Sequence, residues 1–367
     1  MTDQFSICSR CFKDEGLQLD AERIGINNNN KKCVNCLSNK GKKLTKELVR
    51  KLCYIFFVRG TIEKFDYGGF PIIQMNEHKS NRKKSVELSE HLEKDAKLIE
   101  SAGEIGLFYY APRFWMFGEI EPLKDLQSDK RSKIIEKVFD LYPTKQITTG
   151  ESFYRLRLNP ENPEDPNEYD SPPDEFIGNG RLDDENLPLL YGSQDLQICI
   201  HECRTTVEDN IYVGKLRPEK NLKLLDLTEL IEEEEGVTEF DSLDLAIHFL
   251  FLAGKHSYKI CREISKAAFK KNYDGIIYPS YFSFVSNGLV PFETIYGISI
   301  RRYEKLKEYA KSQVIPNLAL FGRPIKNKIL TVECINKVLI NQVYYDTTFG
   351  PAAHNGFGPI PEENEML

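Results

Sequence analysis

The sequence is poor in several features that define whole classes of protein. Its most apolar stretch, 246–253, carries His248 and ends at Gly254, far short of the roughly 20 apolar residues that a bilayer requires. No membrane span is expected. Basic excess is also missing. The 49 Lys and Arg against 56 Asp and Glu leave a net charge of −7, the wrong sign for a chain that binds nucleic acid over its whole surface. Met1 to Phe5 offer no basic segment leading into an apolar one, so no secretory leader is expected. The nine cysteines are an odd number, with five scattered at Cys53, Cys199, Cys203, Cys261 and Cys334. That argues against a secreted disulfide framework and for reduced thiols in the cytoplasm. What remains is a 367-residue chain, 41% hydrophobic, with material for more than one packed core and room for about two or three domains.

The other four cysteines are grouped. Cys8-Ser9-Arg10-Cys11 and Cys33-Val34-Asn35-Cys36 are separated by twenty-one residues. Each pair can turn two sulfurs toward one ion, and two such knuckles complete a tetrahedron around zinc. Four thiolates leave no open position, so the metal is expected to be structural; a pair of redox-active dithiols is the weaker reading. Arg10, Lys13, Arg23, Lys31, Lys32, Lys40, Lys42 and Lys43 make the segment locally basic. Two readings of that bias stay open: contact with nucleic acid, or a metal-stapled cap docked on the helical region that follows.

Beyond the knuckles, Thr45 is a plausible N-cap for a helix carrying Leu48, Val49, Leu52, Cys53 and Phe56, with Gly60 at its stop. Further helices are predicted over about 83–101 and 128–141, so 45–148 reads as mainly helical, with aromatic-rich connections such as 108–117. From Gly150 the texture changes to short apolar runs between turns. Strands are predicted at 153–157, 188–193, 211–217, 222–227, 276–278, 295–300, 318–321 and 329–333, with helices over 195–204 and 243–271. The segment 159–176 holds five prolines and many acids and reads as a loop. The pattern predicts an α+β chain: a zinc module at 1–44, a mainly helical domain at 45–148, a catalytic domain at 149–345, and a tail at 346–367 that frays.

Four pieces of the C-terminal half form an inventory for an anionic ligand with a reacting sugar. Phe153-Tyr154-Arg155-Leu156-Arg157 places arginine in a strand, and a guanidinium fork suits a diphosphate. Gly178-Asn179-Gly180-Arg181 permits close backbone approach. Leu189-Leu190-Tyr191-Gly192-Ser193 supplies a flat ring and leads into a helix carrying His201-Glu202-Cys203-Arg204. A glutamate there can stabilise positive charge developing at a sugar carbon. Last comes Tyr273-Asp274-Gly275-Ile276-Ile277-Tyr278-Pro279-Ser280. Singly, each has an ordinary reading: a surface arginine, an exposed helical glutamate, a core tyrosine, a turn serine. Their order and spacing shift the balance.

That order, closed by Asn317-Leu318-Ala319-Leu320-Phe321, resembles the RES family over about residues 150–325. The resemblance implies a fold like that of ADP-ribosyltransferases, a split mixed α/β core around an NAD cleft. It also implies an enzyme that degrades NAD by phosphorolysis or hydrolysis or ADP-ribosylates a protein, in many members a toxin restrained by an antitoxin. By the same resemblance Arg155 and Arg181 bind NAD, Tyr191 lines the nicotinamide end, Glu202 is the catalytic carboxylate, and Ser280 helps hold the ligand. About thirty-five residues separate Ser280 from Asn317 where compact members have a short loop, so Ser283 and Ser286 compete for the serine role. The expected reaction is scission of the nicotinamide–ribose bond. Its neutral leaving group needs no strong general acid, which suits a site without a His–Asp pair; His201, His248 and His256 read as structural. Protein ADP-ribosylation is the nearest alternative. A nucleic-acid-binding protein with an inactive NAD-sensing half is the more distant one, and a homo-oligomer is left open.

Overall fold

The structure is a computed structural model; its described residues are 6–65, 68–76, 88–109, 120–178, 180–253, 255–283, 294–295, 298–343 and 347–352. The chain divides into two compact units. One comprises Met1–Phe65, Gly69–Arg113 and Tyr345–Leu367, the other Asp66–Gly68 and Phe114–Tyr344.

In the first unit, β1 (Ile7–Cys8) pairs antiparallel with β2 (Lys43–Leu44), Ile7 opposite Leu44, which closes the cysteine-bearing segment on itself. Helix α1 (Glu15–Ile24) begins where the Asp14 carboxylate accepts the Leu17 amide. Helix α2 (Lys46–Cys53) begins at Thr45, whose hydroxyl accepts the Leu48 amide, the cap that the sequence predicts. Val49, Leu52, Cys53 and Phe56 enter one core with Leu92, Ala96 and Ile99 of α3 (Glu90–Gly103). The predicted start of α3 at 83–87 lies outside the described residues. The 45–148 stretch also holds strands, which the helical periodicity of its neighbours hides. They are β3 (Ile62–Phe65) paired with β4 (Gly68–Pro71), and β5 (Ile73–Asn76) paired antiparallel with β6 (Gly106–Tyr109).

Gly60 does not end α2: the chain runs on from Cys53 through a π turn at Tyr54–Val58 into a 3-10 turn at Arg59–Thr61, and Gly60 sits inside the latter, where it allows close packing. A Cβ there would lie 2.5 Å from the Gly350 Cα, and one on Gly350 would lie 2.2 Å from the Gly60 carbonyl oxygen. Residues 347–352, inside the stretch expected to fray, thus meet this unit backbone to backbone, and Pro351 is buried. Gly350→Ala is expected to lower the melting temperature of the protein by several degrees in a thermal melt, since neither neighbouring atom belongs to a movable side chain.

The second unit opens with α4 (Glu121–Gln127) and α5 (Arg131–Leu141). The single helix predicted over 128–141 starts later because Ser128 is spent ending α4, its amide and hydroxyl both bonded to the Asp125 carbonyl. Then come β7 (Thr144–Ile147), β8 (Phe153–Leu158), β9 (Leu189–Gly192), α6 (Leu196–Glu202), β10 (Ile211–Pro218) and β11 (Leu222–Asp226). The helix predicted over 243–271 is two, α7 (Leu243–Leu252) and α8 (Tyr258–Lys270), interrupted by a 3-10 turn at Lys255–Ser257. Strand β12 (Gly275–Pro279), the short pair β13 (Thr294–Ile295) and β14 (Ile298–Ser299), α9 (Lys307–Ser312), β15 (Pro316–Phe321) and β16 (Leu330–Val338) complete it.

Two sheets organise this α+β unit. Five strands run in the order β7-β11-β12-β15-β9, with β11 and β12 parallel and every other pairing antiparallel. Three run β16-β10-β8, all antiparallel. Tyr154 in β8 and Ser193 just past β9 exchange backbone hydrogen bonds of 2.7 and 3.1 Å, and this bridge stitches the sheets together. Phe153, Leu190, Leu216, Leu224, Ile277 and Leu318 fill the core they share.

A buried ion pair ties α7 to the segment after β14. Arg301 donates Nε and Nη2 to the two oxygens of Asp244 at 2.6 and 2.8 Å, with both side chains 7% exposed. Arg301→Ala leaves that carboxylate buried and unpaired and is expected to cost about 3–5 kcal/mol of stability in urea unfolding.

Candidate active site

Glu202 ends α6, a helix whose start is set by Asp195 accepting the Gln197 and Ile198 amides. One oxygen of its carboxylate is held from the sheet side. Ser280 Oγ donates to Glu202 Oε1 at 2.7 Å and Asn317 Nδ2 donates to the same oxygen at 2.6 Å. Ser280 and Asn317 are buried whereas Glu202 is exposed. A carboxylate anchored through one oxygen and open to solvent is oriented before any ligand arrives.

Ser280 is itself fixed. Its amide donates to the Ile315 carbonyl at 2.9 Å, and its hydroxyl accepts the Phe282 amide at 3.1 Å. Ser283 serves the turn instead, donating to the Ser280 carbonyl at 2.8 Å and accepting the Ile315 amide at 2.9 Å. Of the competing serines, Ser280 makes the contact with Glu202; Ser286 lies outside the described residues.

Tyr278 is the hub of the site. Burial pushes its hydroxyl well above the usual tyrosine range, and Glu202 and Tyr191 push it further; Arg181 and a hydrogen bond with Asn317 act the other way. Tyr191 packs edge-on against the Tyr278 ring at 6.5 Å and Phe251 lies 5.5 Å away.

Tyr191 also organises the glycine-arginine loop. Its hydroxyl donates to Asp183 Oδ1 at 3.0 Å and accepts the Leu182 and Asp183 amides at 3.0 and 3.2 Å. Asp183 Oδ2 accepts the Gly178 amide at 2.6 Å, and the Arg262 guanidinium clamps the Gly180 carbonyl at 2.7 and 3.2 Å. A Cβ on Gly180 would stand 2.1 Å from Asp183 Oδ1 and 2.9 Å from the Tyr191 hydroxyl. Glycine is required here for close approach. Arg181 then projects to α7 and α8. It donates to the Ala253 carbonyl at 2.8 Å, the Leu250 carbonyl at 3.3 Å and Ser257 Oγ at 3.2 Å, and lies 4.8 Å from the centre of the Tyr258 ring.

Arg155 is only 8% exposed. Its Nη1 donates to the Tyr191 carbonyl at 2.7 Å and its Nη2 to the Asp170 carbonyl at 3.2 Å, while Nε has no partner among the described residues. Burial first, then the neighbouring Arg157 charge, brings its pKa down to about 10. Arg157 donates to the Glu168 and Asp170 carbonyls. Together they strap down the proline-rich segment, which carries 3-10 turns at Pro166–Tyr169 and Asp174–Phe176 and buries Tyr169 fully.

The structure thus joins Glu202 and Ser280 directly and packs Tyr191 against Tyr278, while Arg181 bonds to the end of α7 and to Ser257 before α8. Arg155 reaches the backbone of Tyr191 and not Glu202. Both sequence-predicted arginines bond to backbone carbonyls in this state. His201 stacks on Phe282 at 6.0 Å, away from the carboxylate. Tyr278 and Asn317 stand in segments that the sequence singles out, without an assigned role. The register that sets Tyr278 opposite Asn317 is what places them.

The four clustered cysteines meet as their spacing predicts. Their sulfurs all lie within 4.8 Å of one another, with Cys8–Cys11 at 3.8 Å, Cys8–Cys36 at 3.6 Å and Cys11–Cys33 at 3.4 Å. A zinc–sulfur bond of about 2.3 Å sets tetrahedral sulfurs about 3.8 Å apart, so the donor set fits such an ion. Burial raises the Cys8 and Cys11 thiols. At Cys33 burial acts upward too, but hydrogen bonds, led by the Cys36 backbone, bring it down to about 7. Beside the cluster, Lys43 is fully buried and donates Nζ to the carbonyls of Ser38, Asn39, Lys40 and Gly41 at 3.1 to 3.4 Å. Among the basic residues of this segment, Lys43 is therefore interior and unavailable to a surface partner.

Fold and site together define an α+β domain with an oriented carboxylate at the ends of two interior strands of a mixed sheet. Residues 152–289 match the family model described as RES domain. A solved structure titled "Crystal structure of the M.tuberculosis MbcT-MbcA toxin-antitoxin complex" is similar at 12% identity with a TM-score of 0.32, over 56% of this chain and 92% of that one; a score so low bears no weight here. No curated protein matches the chain.

Proposed function

We propose that the second unit is an NAD-consuming enzyme that cleaves the nicotinamide–ribose bond, on an ADP-ribosyltransferase-like core. The observation that carries this reading is the Glu202 carboxylate, which lies in the stretch that matches the RES domain model and is held through one oxygen by Ser280 and Asn317. Bond scission leaves positive charge on the ribose, and an anion already fixed in place stabilises it without reorganising. The half-buried Tyr191, edge-on to the buried Tyr278, is assigned to the nicotinamide end.

Arg181 and Arg155 are assigned to the diphosphate. Each now bonds to neutral backbone carbonyls, and a phosphate oxygen, being charged, is the stronger acceptor for the same fork. Binding would exchange one for the other and free the carbonyls of Leu250 and Ala253 at the end of α7. The released ADP-ribose passes to phosphate or water. An enzyme that removes a central electron carrier must be restrained in its own cell, so we read it as a toxin or defence effector held by an antitoxin.

The test is to incubate the protein with NAD, with and without phosphate, and to follow free nicotinamide and the sugar product. NAD left intact in both conditions would overturn the proposal, and label carried from biotinylated NAD onto protein would redirect it to ADP-ribosylation. Asn317→Ala is expected to lower kcat about tenfold, the scale of one hydrogen bond to a charged group, with KM little changed because Asn317 positions Glu202 and not the ligand.

A further inference from the structure

The second zinc knuckle presents a combination that neither folding nor NAD chemistry uses. Its tip carries Val34 and Leu37, 67% and 71% exposed, beside the exposed Cys36. Leu37 is moreover held in the left-handed region at φ 57°. Its amide donates to the Cys33 carbonyl, and the Cys33 amide donates to the Ser38 carbonyl, so the turn forces that backbone. Glycine takes such a position without a Cβ to strain it, and asparagine tolerates it through local side-chain hydrogen bonds. A leucine there is disfavoured twice, by backbone strain and by apolar exposure, and strain kept at a surface position points to use.

The surroundings of the tip are of one sign. From Arg23 to Lys46 there is no Asp or Glu, while Lys31, Lys32 and Lys40 are exposed and Lys42 is half-buried. Asn27 to Asn30, Asn35 and Asn39 add amide donors and acceptors over the same stretch. The four thiolates with a zinc ion carry two negative charges, which offset only part of this excess. On a chain that is acidic as a whole, a basic rim around an apolar tip is complementary to a polyanion with flat, unstacked apolar faces.

We propose that this knuckle binds single-stranded nucleic acid, with lysines on the phosphates and Val34 and Leu37 against splayed bases. Single strands are favoured over duplex because two adjacent aliphatic side chains can meet bases only where these are unstacked. An acidic protein would match the lysines but gives no reason for the exposed, strained Leu37.

The test uses the full chain, zinc-loaded, and fluorescein-labelled 12-mers of mixed sequence as RNA, DNA and the DNA duplex, followed by anisotropy. Four lysine contacts at about 0.7 per phosphate predict a salt slope near −2.8, or about 50-fold weaker single-strand binding between 50 and 200 mM salt. Lys32→Gln with Lys40→Gln should flatten the slope by about 1.4. Leu37→Gly should weaken single-strand binding at least fivefold while leaving the melting temperature equal or higher, since it relieves strain. A purely structural leucine would not behave so. The RNA and DNA arms show which strand is preferred, and either supports the proposal. Absence of binding at 50 mM salt, duplex bound as tightly as single strand, or affinity indifferent to Leu37 and the lysines overturns it, leaving the tip as a protein-docking surface.

Discussion

Glu202→Gln is expected to slow NAD turnover about 10²–10³-fold while leaving the protein folded. Glutamine keeps the length of the side chain, and its carbonyl can still accept from Ser280 Oγ and Asn317 Nδ2, the two groups that hold Oε1. What is lost is the negative charge facing the ribose. Removing one preorganised electrostatic group from an active site costs about 10²–10³ in kcat, or about 2.7–4 kcal/mol of transition-state stabilisation. Nicotinamide release should fall by that factor at saturating NAD, with an unchanged melting curve. Equal rates in wild type and variant would strip Glu202 of its role, and the anchored carboxylate would then be a structural clasp between α6 and the end of β12.

Stripping the metal should have the largest effect on stability. The cysteine segment buries Ile7, Phe12, Leu17, Ala21 and Leu44 in a cluster that it shares with α2 and α3, and none of these residues fixes the loop of the second knuckle. Four thiolates around zinc supply about 10–16 kcal/mol of apparent binding energy in comparable peptides. A strong chelator, or Cys33→Ser, is expected to release one zinc per chain and to expose the amides of Cys33 and Leu37, which now close the second knuckle. Lys43 would lose its ring of carbonyls in the same event, since Ser38 to Gly41 would no longer be held around it. Metal analysis and hydrogen exchange over 6–44 check this directly; protection unchanged by chelation would remove the metal from the folding of this segment.

The two effects separate the parts of the chain by what their residue patterns can encode. The meeting of the four cysteines was legible, because a ligand set is a matter of residue type and spacing and Cys-x-x-Cys geometry is local. The Thr45 cap, the α2 apolar face and most strands of the second unit were legible for the same reason. The long helix over 243–271 was not: its break around Lys255 serves the loop at Arg181, which binds the carbonyls of Leu250 and Ala253 from seventy residues away. Nor could the sequence reveal that Lys43, one of eight basic residues in its segment, is interior.

At the candidate site the division is sharper. Arg155, Arg181, Tyr191, Glu202 and Ser280 are identifiable as chemistry-bearing residues from type and order alone. Which of them touch is decided by strand register. Tyr278 faces Asn317 across β12 and β15, Ser280 follows the end of β12, and α6 ends where its glutamate meets both donors. A shift of one residue in that pairing would turn Asn317 to the opposite face of the sheet. Composition and spacing determined what the chain can hold, namely four thiolates for a metal and a guanidinium–carboxylate set for an anionic sugar. Only the packed sheets decided which oxygen of Glu202 is anchored and that both arginines rest on backbone carbonyls, because hydrogen bonds between residues 78 or 115 positions apart exist only once the core has brought them together.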